Sequence, residues 1–403
     1  MKRSTVRFHR ENGSLGEADV RLTFFRAVLV LITLAALSPS QAFAQLFETR
    51  AKQAYLVEAE TGTVLFAKNE NEEVPPASLA KLMTMEVVFN AIKSGRLTLD
   101  DEYSVSENAW RNGGAMSGGS TMFAEIHSNI ALRDLIQGVI IQSANDGCMV
   151  IAEGMAGSEE NFARLMTERG KAIGLTNSVF GNSTGLPNPQ SHVTMRDLVV
   201  LARHIYRTYP EFYHYYSQED FTWNKIRQRN RNPLLGLDIG VDGMKTGYTE
   251  ASGYAIVSSI QRDGRRLFLA MSGLESENAR REEARKILEW GIRAFERKPL
   301  FKDGEVVATA SVYGGETSVD LKAKGPVDIF LPLTNPDRLV ARVRYNWPLK
   351  APVEEGQQIG DLYIYIGDTL SREEPLYAAQ SVKKGPIHSQ ALDALIELVQ
   401  FWN

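Results

Sequence analysis

Apolar side chains occupy most positions from Leu79 to Ile92, among them Leu79, Leu82, Met83, Met85, Val87, Val88, Phe89, Ala91 and Ile92. A helix that is apolar almost all round is a buried one. Pro75-Pro76 suit a turn into its first residues, and Ser94-Gly95 suit its end. Upstream, residues 54–58 and 63–67 read as strands joined at Glu60-Thr61-Gly62, which predicts a hairpin. Downstream the pattern is helical over Leu132 to Gln142, Met149 to Met155 and 159–174. Residues 104–123 and 181–193, rich in Gly, Ser, Asn or Pro, read as loops. Thr194, with Asp197 three residues on, marks another helix start. Strand alternation returns from Tyr254 to Ile260 and from Leu267 to Met271 around an Asp263-Gly264 turn, and a charged amphipathic helix follows over 277–297. Strands flanking a helical middle predict an α/β fold: an antiparallel sheet flanked by helices, with an all-helical subdomain.

After Lys298-Pro299 the pattern changes. Short strands recur between Gly, Pro and Asp turns: Glu305 to Val312, Val319 to Leu321, Val327 to Leu331, Leu339 to Tyr345 and Gln358 to Tyr365. That spacing predicts a second, small, all-β sandwich-like domain. From Ser389 onward Leu392, Leu395, Ile396, Val399 and Trp402 share a helical face opposite Asp393, Glu397 and Gln400. Such a helix suits a membrane surface or docking on protein about equally. The expected division is a leader over 1–44, an α/β domain over 45–298, an all-β domain over 299–382 and a terminal amphipathic helix over 383–403.

Composition narrows the class. Of 403 residues 43% are hydrophobic and 23% charged, as in a globular protein with a sizeable core. The net charge of −4 gives no reason to expect nucleic acid as a partner. Arg21 and Arg26 precede an apolar run, Ala27 to Leu37, too short to span a bilayer comfortably, and Ala42-Phe43-Ala44 is a small-x-small cleavage signal. These predict a signal peptide and export. Cys148, the single cysteine, cannot form an internal disulfide and reads as a small buried residue. The histidines show no metal-ligand spacing, so neither metal nor cofactor is expected.

The candidate chemistry begins with Ser78 and Lys81, three residues apart and so on one helix face. Burial disfavours the ammonium form and makes a neutral amine available as a base beside a hydroxyl. Two further elements follow: Ser143-x-Asn145 at a helix-to-loop break, and Lys245-Thr246-Gly247 leading a strand. Each alone is weak, since Ser106-x-Asn108, Ser276-x-Asn278 and Lys93-Ser94-Gly95 imitate them. Order and context supply the specificity.

The strings PPASLAKLMT, LIQGVIIQSANDGCMVIAE, NSTGLPNPQSHVTMRDL and DGMKTGYTEASGYAIV resemble segments of the low-molecular-weight penicillin-binding proteins, the serine-type D-alanyl-D-alanine carboxypeptidases. The likeness is strong over about residues 50–298. The all-β region and terminal helix resemble that family's second domain and membrane anchor more loosely. The resemblance implies a β-lactamase/transpeptidase-like fold and a periplasmic enzyme, peripheral on the outer face of the cytoplasmic membrane. It implies peptidoglycan pentapeptide stems as substrate and β-lactams as acylating ligands. On the family's pattern Ser78 is the acyl-ester nucleophile and Lys81 its general base. Ser143 relays a proton to the leaving amine, and Asn145 holds substrate and Lys81. Lys245 and Thr246 bind the terminal carboxylate, and Gly247 allows the strand to approach the substrate. The backbone N–H groups of Ser78 and Tyr248 form the oxyanion hole. Arg280 could add a carboxylate contact, although an arginine on a charged helix reads more readily as solvated. Ala144 and Tyr248 depart from the family's usual glycine and usual small residue or histidine. A D,D-endopeptidase and a non-turning-over penicillin sensor are the alternatives within the family. A class A β-lactamase needs a glutamate in the loop before Lys-Thr-Gly, and 181–193 contains none.

Overall fold

The computed structural model describes residues 4–5, 47–314, 318–334 and 339–385. The expected leader, apart from Ser4–Thr5, and the terminal helix from residue 386 lie outside the described residues.

Strands β1 (Gln53–Glu58) and β2 (Val64–Lys68) form the expected hairpin. Its turn is fixed by the Glu58 carboxylate, which accepts from the Glu60 and Thr61 N–H groups at 3.0 and 2.7 Å. Helix α1 (Lys81–Lys93) follows a single 3-10 turn, Ala77–Ala80. Every α1 residue from Lys81 to Phe89 is buried, as an all-apolar pattern requires. Helix α2 (Leu132–Gln137) runs on into a wider turn over Gly138–Gln142, and α3 (Asn145–Ala156) starts four residues before the expected Met149. Ser158 caps α4 (Glu159–Ala172) and Thr194 caps α5 (Met195–Thr208), each through its side chain. Asp197 does not close a reciprocal capping box. Its carboxylate instead accepts from Asn177 N and Ser178 Oγ at 2.8 and 2.7 Å, tying the preceding loop to α5. The expected loop 104–123 contains a helical turn, Ala109–Gly113.

Strands β3 (Val241–Thr249), β4 (Gly253–Arg262) and β5 (Arg265–Leu274) complete a five-stranded antiparallel sheet in the order β2-β1-β5-β4-β3. The first hairpin thus joins a strand more than two hundred residues later, with Leu56 opposite Leu269 and Val57 opposite Phe268. Side chains alternate between two faces. Leu56, Ile256, Leu267 and Leu269 pack with Ile287, Leu288 and Ile292 of α6 (Glu277–Arg293). Val57, Val257, Phe268 and Ala270 join the large core shared with α1, α3 and α5. Helix α6 ends four residues before the expected position 297. The Ala294 N–H bonds to Trp290 O, and Phe295 reaches the same core from a strand, which is why the helical spacing appears to continue.

That strand, β6 (Phe295–Phe301), pairs with β9 (Val327–Pro332) in an all-β unit. Its larger sheet holds β7 (Ala308–Tyr313), β8 (Ser318–Lys322), β10 (Leu339–Tyr345), β11 (Leu349–Lys350), β12 (Gln358–Ile366) and β13 (Thr369–Ala378), with Ser4–Thr5 against β10. Strands β6 and β13 are absent from the sequence reading, because Glu296-Arg297-Lys298 continues the charged pattern of α6 and Glu373-Glu374-Pro375 reads as a turn. Val319, Leu321, Ile329, Leu362, Ile364 and Leu376 form a core of their own. Arg297 joins this unit to the first hairpin, pairing with Asp328 at 2.6 Å and Glu60 at 3.1 Å.

Candidate active site

Three elements that are distant in sequence meet between the helical core and the edge strand β3. Ser78 lies on the 3-10 turn, and Lys81 is the first residue of α1. The Lys81 Nζ is buried within 3.1 Å of Ser78 Oγ, 2.8 Å of Asn145 Oδ1 and 2.5 Å of the Thr184 carbonyl oxygen. Asn145 opens α3, and its N–H is held by Ser120 O at 2.8 Å. Ser143 occupies the left-handed region at φ 64°, ψ 33°, where the helical run turns into α3. Its Oγ is buried and has no hydrogen-bond partner among the described residues, and Ser143 lines the cleft beside Ser78. A buried hydroxyl without a partner is costly unless a ligand supplies one.

Lys245, Thr246 and Gly247 lie on β3, which among the described residues pairs only with β4, so one row of its backbone groups faces the cleft. A Cβ on Gly247 would stand 3.3 Å from Ser78 N and 3.1 Å from Ala77 Cβ. Glycine therefore lets the strand lie against the Ser78 turn. On the other side, a Cβ on Gly185 would stand 1.7 Å from Ala77 O, and Gly185 itself has φ +76°. Only glycine permits the loop to approach closely enough for Thr184 O to reach Lys81.

The cleft has a volume of about 690 Å³ and is lined by Ser78, Ser143, Thr246, Tyr248, Arg231 and Arg280, among others. Burial lowers the Lys81 pKa, and the positive charge of Arg231 acts in the same direction. Lys245, buried with its Nζ donating to Thr246 O at 3.0 Å, is held well below the usual lysine range by burial first and by Lys81 next. Arg280 is not the solvated arginine that its helix suggests. It is buried, its guanidinium lies 5.5 Å from the Tyr254 ring centroid, and its Nε has no partner among the described residues. Its carboxylate neighbour Glu277 is exposed and 3.8 Å away. Burial pushes the Cys148 thiol up to about 12, in keeping with an inert packed residue.

The sequence reading missed Arg231, Ser120 and Thr184. Arg231 donates to Ser120 Oγ at 2.6 Å and belongs to a basic run in which no position stands out. Thr184 contributes a carbonyl, which side-chain patterns do not register.

The donor count at Lys81 defines what the site can do. A neutral amine has two N–H groups and one lone pair. Asn145 Oδ1 and Thr184 O can only accept. They take both hydrogens, so the lone pair faces the Ser78 hydroxyl. This is a base in contact with a nucleophile, next to buried cations suited to an anionic substrate group.

A family model described as D-alanyl-D-alanine carboxypeptidase matches residues 38–275, and one described as the C-terminal domain of penicillin-binding protein 5 matches 295–384. The D-alanyl-D-alanine carboxypeptidase DacD of Escherichia coli (strain K12) is 36% identical over 342 residues, 84% of this chain and 88% of that protein. The crystal structure of penicillin binding protein 5 from Haemophilus influenzae aligns with a TM-score of 0.70 at 33% identity, over 84% of this chain and 99% of that one. Penicillin binding protein 6B from Escherichia coli aligns at 0.63 and 33%, over 82% and 96%.

Proposed function

The chain belongs to the D-alanyl-D-alanine carboxypeptidase family, and from that premise we propose that it removes the terminal D-alanine from peptidoglycan pentapeptide stems through an acyl-enzyme on Ser78. The observation that carries this reading is the position of Lys81 Nζ, 3.1 Å from Ser78 Oγ with two acceptor-only oxygens on its other sides. Lys81 takes the Ser78 proton as the oxygen attacks the penultimate carbonyl. The N–H groups of Ser78 and Tyr248 hold the developing oxyanion. Ser143, whose Oγ is free for a ligand, gives its proton to the departing amine and is reprotonated by the proton Lys81 took from Ser78. Lys245, Thr246 and Arg280 hold the terminal carboxylate. Asn145 orients both Lys81 and the substrate amide. β-Lactams acylate the same serine.

The catalytic domain runs from about residue 45 to the end of α6, the β-domain from β6 (Phe295–Phe301) to about residue 382, and the amphipathic sequence pattern of 389–403 supports contact with the outer face of the cytoplasmic membrane. The basic and apolar pattern of 1–44 supports export to the periplasm. No helix among the described residues is long and apolar enough to cross a membrane. Glu159 places both carboxylate oxygens on Ser183, at 2.9 and 2.5 Å, so it is bound to the loop and does not replace the deacylating glutamate of a class A β-lactamase. The test is D-alanine release from diacetyl-L-Lys-D-Ala-D-Ala with a fluorescent penicillin label in parallel. Both are expected in the wild type and neither in Ser78→Ala. Labelling without release overturns the carboxypeptidase reading in favour of a sensor.

A further inference from the structure

The β-domain carries a sheet face that its core does not use. Along β12, Leu362 and Ile364 point inward, into the core they share with Val319 and Ile329. The alternate residues Tyr363 and Tyr365 point to the other side. Both are half-buried, and neither belongs to that core. Tyr377 of β13, between the inward Leu376 and Ala378, joins them. Each of the three rings has a cation set against it. Arg344 lies 4.8 Å from the Tyr363 centroid, Arg342 lies 5.4 Å from that of Tyr365, and Lys324 lies 4.3 Å from that of Tyr377. The strand register explains the two arginines. Arg344 stands opposite Asp361 and Arg342 opposite Tyr363, so each leans diagonally to the ring two residues beyond its own partner. Glu373, directly opposite Tyr363 on β13, takes up that tyrosine's hydroxyl. A cation packed on a ring fixes the ring in place and covers only one side of it.

We propose that this ladder of rings binds the glycan strand of the substrate polymer, a chain of N-acetylated amino sugars, and so holds the enzyme on that polymer from outside the cleft. The identity of the polymer rests on the carboxypeptidase reading, and the β-domain adds a second contact with it. A sugar ring presents an apolar C–H face and a rim of hydroxyl and amide groups. Fixed tyrosine rings offer the flat apolar surface, and the guanidinium and carboxylate groups between them offer donors and acceptors for the rim. Charge chooses among partners. Arg342, Arg344 and Lys324 are offset by Asp361 and Glu373, so the face carries little net charge. It therefore complements an uncharged polymer better than a polyanion or an anionic lipid surface.

The test uses the full-length protein and glycan strands freed of their stem peptides by an amidase, so that the cleft has nothing to bind. Affinity for the immobilised strands is measured by biolayer interferometry. Wild type is expected to bind. Tyr363→Leu/Tyr365→Leu keeps the apolar bulk but loses the flat rings, and its affinity is expected to fall about tenfold. Tyr363→Phe/Tyr365→Phe keeps the rings and is expected to stay within about twofold of wild type. The leucine variant should also match wild type in D-alanine release from diacetyl-L-Lys-D-Ala-D-Ala, as a misfolded protein would not, and have a lower kcat/KM on intact sacculi. Equal affinity for the strands in the leucine variant and wild type overturns the site. So does a wild type that ignores the strands but binds phosphatidylglycerol vesicles through Arg342 and Arg344, which makes the face a lipid contact. A wild type that binds the strands and releases no D-alanine from the free peptide overturns the carboxypeptidase reading alone, because the strands carry no stems.

Discussion

Lys81 Nζ and Asn145 Oδ1 stand 2.8 Å apart, joining the start of α1 to the start of α3 across 64 residues of chain. The bond does two things. It fixes the amine rotamer toward Ser78, and it takes one amine hydrogen so that the lone pair points to the hydroxyl. Asn145→Ala is expected to slow penicillin acylation and D-alanine release by about 10²-fold or more, through a misplaced base. Asn145→Asp keeps an acceptor in place but sets a negative charge beside Lys81, favouring the ammonium form. Its acylation rate should recover at higher pH, where the alanine variant's should not. Stopped-flow acylation across pH separates the two.

The pH dependence follows from the two buried lysines. Lys81 acts as a base only when neutral, so acylation rises with pH as it loses its proton. Burial lowers its pKa, so the midpoint of that rise lies below the ordinary lysine value of 10.5. Lys245 holds carboxylate only when charged, and its own depression brings an alkaline limb into reach. The kcat/KM profile is therefore a bell whose two limbs belong to the pair. Lys81→Arg keeps its proton throughout and should lose about 10²–10⁴-fold at every pH. Stability carries the same signature. Between the lowered folded value and 10.5 the unfolded chain holds more protons, so raising pH through that window stabilises the fold. Lys245→Met should flatten that slope in urea titrations run at several pH values.

Gly185 supplies a steric prediction with an internal control. Its φ is +76° and a Cβ there would stand 1.7 Å from Ala77 O, on the turn that carries Ser78. Gly174 has φ +95° with nothing within 4 Å of its would-be Cβ. Gly174→Ala should cost only the left-handed backbone penalty, about 1 kcal/mol, with acylation unchanged. Gly185→Ala should cost more, about 1–3 kcal/mol, and also slow acylation, because Thr184 O moves off Lys81. Equal acylation in both variants would show that the loop does not position the base.

What the sequence disclosed, and what it hid, divides along physical lines. The buried helix, the first hairpin and the β4–β5 hairpin were legible because one period dominates each, and Ser78 lies beside Lys81 as their spacing predicts, whereas the contact of Asn145 with Lys81 was implied only by the family resemblance. Arg280 was misplaced since its helix is charged on most sides, and only the approach of β4 with Tyr254 shows which arginine turns inward. Thr184 was invisible because its function is a carbonyl. Strand β13 was lost behind Glu373-Glu374-Pro375, a charged pair and a proline without strand alternation, although they pair with Tyr363, Leu362 and Asp361 of the preceding strand.

The residue after Asn145 extends this reasoning to the loop facing it. Asp146 is fully buried and accepts four hydrogen bonds: from Thr121 Oγ1 at 2.5 Å and from the N–H groups of Met122, Ala124 and Gly147, each at 3.0 Å. The segment it holds begins at Ser120, whose carbonyl fixes Asn145 and whose hydroxyl receives Arg231. Asparagine has the same shape, but its NH₂ would turn two donors against donors already there. Asp146→Asn should therefore cost about 2–4 kcal/mol and lower the acylation rate at 25 °C while the protein is still folded. Thr121→Val removes a single bond and should cost about 1–2 kcal/mol, with a smaller change in rate. Chemical denaturation gives the stabilities and penicillin labelling of the folded protein gives the rates. If Asp146→Asn loses stability but labels at the wild-type rate, the carboxylate holds the fold together without positioning Asn145. If the two losses scale together across both variants, the Ser120 segment transmits its order to the base.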